Sequence, residues 1–132
     1  MIPRVKLCDR RRFQRLKVYL TVFYKVEEPE YARRYYGDSE REASTLDLGQ
    51  GGMALLTKTG IPCGTKLFLR FLIFYYSKEA SVKFQHPIEI CGEVRSCLRE
   101  ENNSYRIGIC FDEISAEYKT NIDNFIKTVA RQ

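Results

Sequence analysis

Leu16-Lys17-Val18-Tyr19-Leu20-Thr21-Val22-Phe23-Tyr24-Lys25-Val26 places Leu16, Val18, Leu20, Val22, Tyr24 and Val26 at every second position. Successive side chains of a strand point to opposite faces, so the spacing predicts one strand with one buried face. The same signal recurs toward the C-terminus. Ala43 to Leu48 resumes an extended pattern, Met53 to Thr57 is a short strand, and Lys66 to Tyr75 is a longer one rich in β-branched and aromatic residues. Ile88 to Leu98 and Tyr105 to Phe111 follow, joined as a hairpin by the polar loop Arg99 to Ser104. Punctuation comes from Gly60-Ile61-Pro62-Cys63-Gly64, from a polar break at Ser77 to Ser81, and from Gly49-Gln50-Gly51-Gly52. The last of these predicts a tight, exposed turn using positive φ or close backbone approach. Gly92 marks a bulge or a corner. Glu27 to Glu42 is polar and carries Tyr31, Tyr35, Tyr36, Pro29 and Gly37, and it reads as a connection or a long hairpin arm.

The period changes at the end of the chain. Ile114, Tyr118, Ile122, Phe125, Ile126 and Val129 recur at intervals of three and four, the stripe of an amphipathic helix over 114–130, with Ser115 or Asp112 at its start. Five to seven short strands followed by one such helix predict a mainly β fold, an antiparallel barrel or curled sheet capped by the helix. The 132 residues suit one domain, read as a flexible basic arm over 1–15, a barrel over 16–111 and the helix.

Charge is placed unevenly. Of the net +5, residues 1–25 hold eight bases (Arg4, Lys6, Arg10, Arg11, Arg12, Arg15, Lys17, Lys25) against one acid, Asp9, which leaves the rest of the chain at −2. The longest apolar run, Leu67 to Tyr76, is broken by Arg70 and is about half the roughly 20 residues of a spanning helix, so no membrane insertion is expected. Arg10-Arg11-Arg12-Phe13 has no following cleavage site, so it is not an export signal. Cys8, Cys63, Cys91, Cys97 and Cys110 form no CxxC pair and read as reduced, buried thiols of a cytoplasmic protein.

An enzyme is not indicated. The single histidine, His86, sits before Pro87 in a stretch read as a loop, with no nucleophile motif near it, and no zinc spacing is present. Glu27, Glu28 and Glu30 are solvated loop carboxylates, and the glycine cluster lacks the lysine of a phosphate-binding loop. No metal and no cofactor are expected. Two features remain: Arg11-Arg12-Phe13-Gln14-Arg15 before the first strand, and Asp47-Leu48-Gly49-Gln50-Gly51-Gly52 between two later ones. Guanidinium groups suit phosphates and purine faces, whereas a carboxylate accepts from the donor edge of guanine.

In this order on this strand pattern, the two motifs resemble the PilZ domain family, the bacterial receptor module for cyclic di-GMP. The first matches the family's RxxxR motif and the second its D/N-x-S-x-x-G motif except at the serine, where Gly49 stands. The resemblance continues through the Gly60 to Thr65 turn, Gly92-Glu93-Val94, Tyr105-Arg106-Ile107-Gly108-Ile109-Cys110-Phe111 and the terminal helix. It implies a small antiparallel, six-stranded, Greek-key-like β-barrel with a C-terminal α-helix packed on it, and a non-enzymatic receptor that binds cyclic di-GMP and signals to an unidentified protein effector. It further implies that Arg11 and Arg15 hold phosphates and guanines, Arg10 adds a phosphate contact, Asp47 reads guanine and Gly52 preserves the turn. The hydroxyl missing at Gly49 is worth about 0.5–1.5 kcal/mol, or roughly two- to thirteen-fold in affinity. A second reading is a degenerate protein-interaction adaptor for motility or pili that binds the dinucleotide weakly or not at all. A third, the least favoured, is a nucleic-acid-binding barrel using the basic arm. The C-terminal stripe serves a monomer or a weak homodimer.

Overall fold

The computed structural model describes residues 15–79 and 81–130. The arm, including Arg10 and Arg11, lies outside them except for Arg15. Seven strands and two helices follow in order: β1 (Arg15–Lys17), β2 (Thr21–Glu28), α1 (Glu30–Tyr36), β3 (Arg41–Gly49), β4 (Gly52–Thr57), β5 (Lys66–Ser77), β6 (Val82–Arg99), β7 (Tyr105–Phe111) and α2 (Ala116–Ala130). All strand pairings are antiparallel, in the order β1-β3-β2-β5-β6-β7-β4, and a further β3–β4 pairing brings the sheet back on itself. Six strands take part in that circuit, and β1 is a seventh laid on the C-terminal half of β3.

The period-two reading of Leu16 to Val26 holds for its buried face, but the stretch is two strands. Thr45, fully buried on β3, lies against the break: its hydroxyl accepts from the Leu20 N–H at 2.7 Å and donates to the Val18 carbonyl at 2.6 Å. One side chain thus satisfies backbone groups that an uninterrupted ladder would have paired. The core is built from the inward phase of the strands, among them Val22, Val26, Leu48, Met53, Leu55, Leu67, Leu69, Ile107 and Ile109. Ile122, Phe125 and Ile126 of α2 complete it, and α2 lies against β5, β3 and β1. Ser115 caps this helix, its hydroxyl accepting from the Tyr118 N–H at 3.1 Å.

Other readings change. Glu27 to Glu42 contains α1, which starts after a cis Glu28–Pro29 bond and ends where Gly37 takes φ 86°. Ala32 is its one buried residue, so it carries no apolar stripe to announce it. His86 is on β6, paired with Ile73 and beside the Tyr75 and Phe84 rings. Gly92 is regularly paired with Leu67 and Phe111, and the bulge falls later, between Val94 and Ser96. Cys63 and Cys91 are exposed and Cys110 is disulfide-bonded. Cys91 falls on the outward phase between Ile90 and Gly92, so apolar company along the chain did not bury it.

Candidate functional site

Asp47 faces outward because β3 contains a bulge. Thr45 pairs with Leu55, but the next pair is Asp47 with Ala54, then Leu48 with Met53. Without the extra residue, the alternation that turns Thr45 inward would also turn Asp47 inward and Leu48 out. With it, Leu48 is fully buried in the core and Asp47 joins the outer surface. There it heads a row of small residues running across the sheet, Asp47–Ala54–Gly108–Ser96, set by the β3–β4, β4–β7 and β7–β6 registers.

Two arginines converge on it. Arg15 sits on β1 opposite Gly49, one step along from Asp47, and its Nη1 lies 3.1 Å from Oδ1. Arg106 of β7 reaches across β4, and its Nη2 lies 2.9 Å from Oδ2. The carboxylate is 10% exposed, whereas the Arg15 and Arg106 side chains keep 19% and 36%. A shielded anion held by two forks is a charge-assisted arrangement, stronger than a neutral hydrogen bond. Lys17 is directly opposite Asp47 on β1 and is exposed, adding a third cation to the rim.

The glycines act by closeness. Gly52 is buried and paired with Cys110, and a Cβ there would collide with the Ile109 carbonyl oxygen. Gly49 ends β3 opposite Arg15 and is buried as well. Positive φ in described glycines occurs at Gly37 and Gly64, not in the Gly49 to Gly52 cluster. The turn therefore serves strand approach, and it is not the exposed turn expected: Gly49 and Gly52 are buried and Gln50 and Gly51 half-buried. Gly108 is less constrained, because a Cβ there would meet the Ser96 hydroxyl, a side-chain group that can turn aside. The outcome is a shallow floor without large side chains, bounded by Arg15, Asp47 and Arg106, on which a planar group has room to lie.

Of the six expected ligand residues, the structure brings together Arg15, Asp47, Gly49 and Gly52, while Arg10 and Arg11 lie outside the described residues. Arg106 and Lys17 were missed. Arg106 is in neither motif and comes from the strand farthest along the chain; its one sequence signal is a cation on the outward phase of a strand that otherwise places Gly108 and Cys110 there. A cavity of about 930 Å³ between Arg41 to Ser44, Thr57 to Thr59 and Asn102 to Ser104 includes none of these residues. Among the described residues no cluster of metal-ligating side chains is present, and no helix is long and apolar enough to cross a membrane.

The family model for the PilZ domain matches residues 9–128. The chain belongs to the PilZ domain family. Solved PilZ-type structures superpose on it. The Bacillus subtilis inhibitor of motility MotI/DgrA is 17% identical with a TM-score of 0.69, over 92% of this chain and 52% of that one. The PilZ domain of YcgR from Escherichia coli, solved with cyclic di-GMP, is 16% identical with a TM-score of 0.62, over 92% of each chain. The PilZ domain of CeSA from a cellulose-synthesizing bacterium is 12% identical with a TM-score of 0.53, over 89% of this chain and 98% of that one. At these identities the likeness is one of fold. The chain spans about half the length of the Bacillus structure. No curated protein sequence matches it.

Proposed function

We propose that this PilZ domain is a cyclic di-GMP receptor that acts as a non-catalytic adaptor in the cytoplasm, passing ligand occupancy to a protein effector. The observation that carries the reading is Asp47: a carboxylate turned outward by a bulge, held between Arg15 and Arg106 beside a floor of small residues. Guanine presents N1–H and N2–H side by side, matching the two oxygens of one carboxylate. Phosphates match guanidinium forks, supplied by Arg15 and, from the basic segment before β1, by Arg10 and Arg11. Support also comes from a similar structure solved with this ligand, the YcgR PilZ domain. The domain needs no cofactor for this role.

Isothermal titration with cyclic di-GMP is the test. Binding is expected, weakened about ten- to hundred-fold by Arg15→Ala, the loss of one charged hydrogen bond, and at least as much by Asp47→Ala, the loss of two. Undiminished binding by both variants would overturn the assignment of the site, and no heat from the wild type would overturn the receptor reading. Gly49 keeps the second reading in view, a PilZ adaptor that has given up the nucleotide. Gly49→Ser decides between them: a gain of roughly two- to thirteen-fold locates the serine position in the site, whereas a silent substitution in a non-binding chain favours the adaptor.

A further inference from the structure

Arg106 engages Asp47 through one of its five N–H donors, and among the described residues no other acceptor takes the remaining ones. Its side chain is more open than that of Arg15, and its neighbour along the outward phase of β7 is Gly108, which leaves the guanidinium uncovered on that side. A carboxylate offers about four lone-pair positions, so a base can bind Asp47 while both arginines stay attached. On the Watson–Crick edge of guanine, O6 adjoins N1. A donor that shares a carboxylate oxygen with N1–H therefore lies beside O6.

We propose that Arg106 is a second guanine-reading residue, donating to O6 of the base whose N1–H and N2–H are accepted by Asp47; the proposal rests on the cyclic di-GMP reading above. The pair then reads three adjacent groups in the order acceptor, donor, donor. Adenine turns an amine toward Arg106 and an unprotonated N1 toward Asp47, so both contacts become repulsive. Arg106 thus decides which dinucleotide is admitted, a role that neither sequence motif contains.

The test uses the whole chain and three ligands: cyclic di-GMP, its 6-thioguanine analogue, which keeps N1–H and N2–H but replaces O6 with a poor acceptor, and cyclic di-AMP. Arg106→Leu is expected to weaken cyclic di-GMP at least ten-fold and to narrow its preference over cyclic di-AMP. The wild type is expected to lose affinity for the thio analogue while Arg106→Leu binds it as it binds cyclic di-GMP. Arg106→Lys, which keeps the charge without the fork, should fall between and guards against a variant that fails to fold. Equal or tighter binding of cyclic di-GMP by Arg106→Leu overturns the proposal, because Arg106 then only occupies Asp47. An equal thio penalty in wild type and variant also overturns it, because Arg106 then acts only by positioning Asp47. Absence of wild-type binding removes the receptor reading and this assignment together. Binding that depends on Arg15 but not on Arg106 removes this assignment alone.

Discussion

The outer surface of one sheet takes two forms in this molecule. Along the row from Asp47 across β4 to β7 it is small and charged, with Leu56 at its margin: Ala54 is 2% exposed though it points outward, and Asp47 is shielded between two guanidiniums. Across β2, β5 and β6 it is large and open: Leu72, Phe74 and Tyr76 stand out on β5, and Tyr19 is exposed beside them. A groove of about 570 Å³ there is lined by Tyr19, Phe23, Arg70, Leu72, Phe74 and Pro87. Strand alternation alone makes the two surfaces equivalent. The difference lies in side-chain size and in one bulge, which together turn the first surface into a recess and leave the second standing out.

Substitutions should behave differently on the two surfaces. The largest effect is expected at Gly52→Val, which must push β4 away from the Ile109 carbonyl; a loss of about 3 kcal/mol in urea unfolding is expected, and a wild-type midpoint would show that the strands separate freely. Asp47→Ala strands two partly shielded cations, at a cost of about 1–2 kcal/mol by the same measurement. Phe74→Ser on the open surface should shift stability by no more than about 0.5 kcal/mol. A larger loss there would mean that the open surface is covered in solution, which sedimentation would detect as self-association.

The smallest effect concerns the Glu40–Arg70 pair on the open surface. The hydrogen bond from Arg70 holds the Glu40 carboxyl below its ordinary value of 4.5. A group with a lowered folded-state pKa stabilises the fold above its unfolded value, and that contribution is lost as pH falls through the folded one. Glu40 lies at the solvent-facing surface, so the effect is slight and screened. Glu40→Gln should lower the urea midpoint slightly at neutral pH and flatten a small part of the acid-side decline below pH 4.5, so that variant and wild type converge at low pH.

Much of this was legible in the chain. The alternation of Val22, Tyr24 and Val26 and the Ile122, Phe125, Ile126 stripe report burial directly, because periodicity and burial have one cause. The motif around Asp47 was visible as residue types at a spacing. What stayed hidden depends on contacts made at a distance. The break after Lys17 is satisfied by Thr45, the outward turn of Asp47 depends on register against β4, and Arg106 meets Asp47 only because β7 lies beyond β4. α1 escaped because a helix with one buried residue leaves no stripe to read.

β3 pairs with β1, β2 and β4, while among the described residues β1, Arg15–Lys17, pairs with β3 alone. Local opening follows such unequal attachment. Amide hydrogens of Leu48 and its β4 partners should exchange slowly, and those of Arg15 to Lys17 quickly. Asp47 is therefore preorganised on a strand held by three neighbours, and the adjustment that accompanies ligand entry is expected to fall on β1, which the described residues attach to one. Cyclic di-GMP should slow exchange in β1 and leave β3 nearly as it was, so occupancy would be recorded as the consolidation of a strand edge and not as a displacement of the sheet.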